Sequence, residues 1–109
     1  MSFKIISTPA FERELKKLSK RHLSIKNDLS AIITELKKDP DTGKSLGSDC
    51  YKIRMAISSK NKGKSGGARI ITYVKILDEV IYLISIYDKA DTDTISDNEV
   101  LKRVKGLDL

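Results

Sequence analysis

Five side chains in the second half of the chain have the types needed to hold and rework a phosphate: Lys52, Arg54, Arg69, Tyr87 and Lys89. Lys52 and Arg54 are two residues apart, the repeat that puts side chains on one face of a strand. Tyr87 and Lys89 have the same spacing at the end of a later apolar run, and Arg69 begins the run between them. If the three runs lie side by side, four cations and a phenol share one open face. Guanidinium forks grip two phosphate oxygens at once and stay charged at every physiological pH.

Charge is concentrated around these residues. Residues 44–69 hold seven Lys or Arg against one acid, Asp49, a surplus of six that equals the net charge of the whole chain, +6. Cation held on strands points to a polyanionic partner, and nucleic acid is the first candidate because phosphate contacts supply most non-specific affinity. Within the polar, glycine-rich stretch Ser59–Gly67, Lys60, Lys62 and Lys64 are further candidate nucleic-acid contacts.

Other chemistry fails on spacing. Gly63-Lys64-Ser65 has the end of a phosphate-binding P-loop, yet the required first glycine falls at Ser58 and a strand follows where a helix should start. His22 is the only histidine. It sits at a joint between helices, where a solvated or locally bonded role is expected, and no Ser-His-Asp triad or two-histidine metal site can be built in the sheet. Asp88, Asp91, Asp93 and Asp97 lack the glycine and terminal glutamate of an EF-hand and read as solvated turn or helix-start residues. Cys50 is alone, so no internal disulfide or zinc cluster forms, and it reads as a small partly buried strand residue. No run is apolar enough for a membrane span, and the N-terminus lacks the order of a signal peptide. A cytoplasmic protein is expected.

The elements that position the five residues follow from periodicity. The chain of 109 residues is expected to form one domain, residues 1–109. Residues 3–6 read as a strand. Thr8-Pro9 opens a helix whose apolar stripe is Phe11, Leu15 and Leu18. Ser24 is a cap for a second helix with Ile25, Leu29, Ile32, Ile33 and Leu36, stopped by Asp39-Pro40. From Cys50 the period changes to two. Tyr51, Ile53, Met55 and Ile57 are expected beneath the helices, with Lys52 and Arg54 opposite. Ala68–Ile76 and Val80–Tyr87 complete an antiparallel meander around a tight turn at Asp78-Glu79. On the last strand Tyr82, Ile84 and Ile86 are expected in the core. Ser96-Asp97-Asn98-Glu99 fits a capping box before a short final helix. The order is β-α-α-β-β-β-α, an α+β fold with two N-terminal helices on an antiparallel sheet.

Three segments carry a family likeness: Tyr51-Lys52-Ile53-Arg54, then Gly67-Ala68-Arg69-Ile70-Ile71, then Ile81–Lys89. In order and spacing they resemble the RelE/ParE superfamily of toxins from type II toxin–antitoxin modules. The insertion Lys62–Arg69 is more similar to the HigB-like branch. The resemblance implies a RelE-like fold and a metal-free, cofactor-free endoribonuclease that cuts messenger RNA, usually on the ribosome. It implies a cognate antitoxin protein as partner. It says nothing of oligomeric state. The family's basic active residues fall on Lys52, Arg54, Arg69 and Lys89. Its C-terminal tyrosine has no counterpart near Ile95 and Ser96, and the histidine of some HigB members is missing. Under this reading Arg54 and Arg69 stabilise charge on phosphorus, Lys52 or Lys89 moves a proton, and Tyr87 stacks a base or shares the transfer. Two alternatives remain open at this stage. One is a ParE-like gyrase inhibitor acting by protein contact. The other is a non-catalytic nucleic-acid-binding domain of the same fold.

Overall fold

The computed structural model describes residues 2–60, 63, 66–91 and 95–107. Its elements are β1 (Lys4–Ser7), α1 (Pro9–Ser19), α2 (Ile25–Lys38), β2 (Lys44–Gly47), β3 (Cys50–Met55), β4 (Ala68–Lys75), β5 (Val80–Asp88) and α3 (Asp97–Lys105). They form an α+β fold around one five-stranded sheet in the order β1-β5-β4-β3-β2. β3, β4 and β5 are the expected antiparallel meander. β1 pairs parallel with β5, so the sheet is mixed rather than wholly antiparallel. A crossover through α1 and α2 is what lets β1 run in that direction.

β2 is an added strand. Its hairpin to β3 turns at Ser48 and Asp49, whose φ values of 53° and 63° are the two positive angles of a type I′ turn. The sequence hides this hairpin because the turn carries neither Asn-Gly nor Asp-Gly, and Lys-Ser-Leu-Gly has little strand propensity.

α1 starts as its sequence dictates. Thr8 Oγ1 accepts from the Phe11 backbone N–H at 3.3 Å and donates to Leu83 O at 2.8 Å, fastening the helix start to β5. Phe11, Leu15 and Leu18 of α1 and Ile25, Leu29 and Leu36 of α2 pack on Ile53, Met55, Ile70, Val74, Ile81, Leu83 and Ile86. Ile57 is in this core and Tyr51 lies against it, as alternation requires. Ser24 precedes α2, but its hydroxyl donates to Asp28 Oδ2 at 2.8 Å and accepts from Ser59 N at 2.8 Å instead of capping its own helix.

On the other face of the sheet, α3 is the covering helix among the described residues. α3 lays Val100 against Cys50, Ile71 and Ile84, with Tyr73, Tyr82 and Val104 alongside. Tyr82 and Ile84 therefore face α3, not the helical core. The reason is a bulge: Ile71 pairs Ser85 and Thr72 pairs Leu83, leaving Ile84 as the extra residue. Of the three side chains expected in that core, only Ile86 enters it. Ser96 caps α3 by accepting from Glu99 N at 3.1 Å, while the Glu99 carboxylate takes Arg103 Nε at 2.9 Å. Arg103 in turn bonds Glu14 of α1 and Ile84 O at the bulge, which ties α3 down at one end of the sheet.

Candidate nucleic-acid interface

Beside α3 on that face, the described residues form a cleft of about 540 Å3 lined by Lys44, Lys52, Arg54, Arg69, Tyr87 and Lys89, with Thr42 and Gly43 at its rim. Strand register builds it. Arg54 stands opposite Arg69, and Arg69 stands opposite Tyr87, so the three form one row across β3, β4 and β5. The adjacent row is Lys44, Lys52, Ile71 and Ser85. Directly opposed residues share a face with Cβ atoms about 5 Å apart, and rows two residues apart along a strand are separated by roughly 7 Å. All five residues singled out in the sequence as phosphate handlers thus line one cavity.

They differ in setting. Arg69 is buried at the floor, with Nη1 donating to Ala68 O at 3.1 Å. Tyr87 is likewise buried, whereas Arg54 and Lys89 are exposed and Lys52 is half-buried. A guanidinium fixed in the floor and another reaching from above can engage one phosphate from two directions. Gly43 makes the rim possible. Its φ is +102°, and a Cβ there would lie 2.5 Å from Lys52 O.

Sequence reasoning missed Lys44 as a cleft residue. It reaches the site only through β2, opposite Lys52. The clue was the eight-residue separation of the two lysines across a turn.

Lys60 goes elsewhere. Its ammonium lies 3.0 and 3.2 Å from the two carboxylate oxygens of Asp88 and 3.3 Å from Gly66 O, and its side chain is only 16% exposed. That removes it from the cleft cations, because an ammonium held by a buried carboxylate is not presented to a phosphate. Lys62 and Lys64 lie outside the described residues. His22 also differs from expectation: it is neither solvated nor confined to its joint, since its Nε2–H donates to Asp88 Oδ2 at 2.9 Å. Asp88 is likewise no solvated turn residue, being fully buried at the side chain. Burial alone would raise its pKa. The Ala90 N–H, Lys60 and His22 together outweigh that and hold it below the ordinary carboxylate range. Burial, aided by Asp49, pushes the Cys50 thiol up, which fits an inert core cysteine.

Among the described residues, no helix is long and apolar enough to cross a membrane.

Comparison with known proteins gives consistent likenesses. Residues 3–106 match the family described as the RelE toxin of the RelE/RelB toxin–antitoxin system. A mutant E. coli toxin RelE in the free state is 23% identical, with a TM-score of 0.66 over 95% of this chain and 99% of that one. A chain of the intact E. coli RelBE toxin–antitoxin complex is 23% identical, with a TM-score of 0.62 over 80% and 96%. A chain of the RelBE2 toxin–antitoxin complex of Mycobacterium tuberculosis is 12% identical, with a TM-score of 0.58 over 81% and 99%. At these identities the structures show the fold alone. No curated protein gives a significant match.

Proposed function

The chain belongs to the RelE toxin family of the RelE/RelB toxin–antitoxin system, and on that premise we propose that it is an endoribonuclease that cuts messenger RNA, with the ribosome as its place of action. The observation that carries this reading is the row Arg54–Arg69–Tyr87, flanked by Lys52 and Lys89 in one open cleft.

Such a cleft suits cleavage by the ribose 2′-hydroxyl. That oxygen attacks the adjacent phosphorus, the P–O bond to the next 5′-oxygen breaks, and a cyclic phosphate forms. The protein must take a proton from the nucleophile, stabilise the extra charge on the phosphorane and return a proton to the leaving oxygen. Arg69, set in the floor before substrate arrives, supplies preorganised charge. Arg54 adds a second fork from the exposed side. Each donor of this kind contributes roughly 10²–10³ in rate. Lys52 and Lys89 lie on opposite sides of the row and divide the proton transfers between them, with Tyr87 at the end of the row to stack a base or share a proton.

A toxin of this kind is held inactive by a partner. Two of the similar structures are toxin–antitoxin complexes, and we propose a cognate antitoxin here, with an acidic segment over the cleft.

The test is a translating extract. The purified chain is expected to cut translated message, and Arg54→Ala or Arg69→Ala to lose that activity by roughly 10²-fold or more while remaining folded. Parental rates in either variant would overturn the site assignment. Inhibition of gyrase supercoiling with no RNA cut would replace the reading with a ParE-like one.

A further inference from the structure

Asp88 lies between the two cleft residues at the end of β5, and its side chain is turned away from them into a set of cations. Lys60 reaches it from the short turn after β3, His22 from the α1–α2 joint, and the Ala90 N–H from the turn after β5 at 2.9 Å. Arg21 Nη2 lies 3.6 Å from Asp88 and also pairs with Asp91. Two distant segments and the turn that follows β5 thus meet on one buried carboxylate.

The flanking backbone is tied at the same place. Lys60 Nζ donates to Gly66 O, and Lys89 N donates to Gly67 O at 3.1 Å. Gly67 is pressed so closely on the end of β3 that a Cβ would lie 2.1 Å from Met55 O. Tyr87 and Lys89 are therefore attached to a short peptide whose central side chain is clamped and whose next N–H is fixed.

We propose that Asp88 and Lys60 are positioning residues for the cleft: their ion pair sets where Tyr87 and Lys89 stand relative to Arg54 and Arg69. Neither group touches the substrate. The inference rests on the ribonuclease reading for its rate consequence but not for its structural one. A displacement of about 1 Å at a reacting group costs up to 10²-fold in rate. Substrate binding, carried by exposed Arg54 and Lys44 and half-buried Lys52, changes far less.

The test uses the full chain labelled with fluorotyrosine, whose four tyrosines give separate fluorine NMR signals, with Tyr87 assigned through Tyr87→Phe. Asp88→Asn is expected to lower kcat on translating ribosomes roughly 10- to 100-fold with KM within about threefold. The Tyr87 signal should move or broaden, while that of Tyr51, on the helical side, stays in place. Lys60→Gln should act in the same direction and Lys60→Arg restore the parental values. Asp91→Asn, which leaves Lys60 and His22 on Asp88, should change neither readout. Folded Asp88→Asn with parental kcat and an unmoved Tyr87 signal would overturn the proposal. So would a loss of rate that only follows loss of folded protein. If Asp88→Asn does not fold, Lys60→Gln decides by the same two readouts. If the parental chain cuts no RNA, the ribonuclease reading fails alone, and the Tyr87 signal still decides the clamp.

Discussion

Arg54 and Arg69 stand directly opposite one another across β3 and β4. Like charges in that relationship destabilise a sheet by roughly 0.2–1 kcal/mol. The arrangement makes sense as a receptor for an anion that is absent during folding. Arg54→Thr is therefore expected to raise the unfolding free energy by a few tenths of a kcal/mol and to abolish RNA cutting at the same time. Thermal melting and a cleavage assay on the same preparation check both halves.

Salt should expose the number of cations in the cleft. For single-stranded nucleic acid, log K falls with log[salt] by about 0.7 for each phosphate neutralised. Lys44, Lys52, Arg54, Arg69 and Lys89 all line the cavity. Lys44→Gln is expected to weaken binding of an RNA oligonucleotide and to flatten the slope by about 0.7, without sequence preference. Lys60→Gln should leave the slope unchanged, because that ammonium is committed to Asp88. Fluorescence anisotropy over a salt series distinguishes the two.

Most of the fold was legible because period and punctuation agree. Thr8-Pro9, Asp39-Pro40 and Ser96 mark helix ends, and the change from period 3.6 to period 2 at Cys50 marks the meander. Alternation put Lys52 with Arg54 and Tyr87 with Lys89 on one face of their strands, and strand register lines Arg69 up between them. What sequence hid was non-local. Nothing in Val80–Asp88 announces that Ile84 is the bulged residue, since the bulge depends on what β4 offers opposite. Nothing near Lys60 or His22 announces Asp88, which lies 28 and 66 residues away. Lys44 escaped for a related reason. Its strand exists through pairing with β3 more than through its own propensity.

Gly43 tests the rim. A side chain there would have to hold φ at +102° and meet Lys52 O at 2.5 Å, and backbone cannot yield as a flexible side chain can. Gly43→Ala is expected to cost roughly 1–3 kcal/mol and to splay β2 from β3, weakening RNA binding through Lys44 and Lys52. Chemical denaturation measures the first effect. Gly47→Ala is the control: its φ is also positive, at +84°, but a Cβ there meets nothing within 4 Å.

Acid should unfold the protein through two carboxylates. Folding lowers the pKa of Asp88, where the Ala90, Lys60 and His22 bonds outweigh burial. It also lowers that of Asp28, where burial is outweighed by the Ser58 hydroxyl and N–H and by Ser24. A carboxylate depressed by folding contributes stability that is fully present above its unfolded value, about 3.9, and is lost as pH falls through the lower folded value. The unfolding free energy is thus expected to hold near neutral pH and to fall steadily below about pH 4. At pH 7, Asp88→Asn should be less stable than the parent by about 3 kcal/mol, the low end for removing one partner of a buried ion pair. The gap should narrow as the parent protonates, because asparagine has no charge to lose. Denaturant melts of parent and variant at several pH values decide it. A gap that stays constant down to the acid limit would mean that Asp88 does not carry its charge in the folded state.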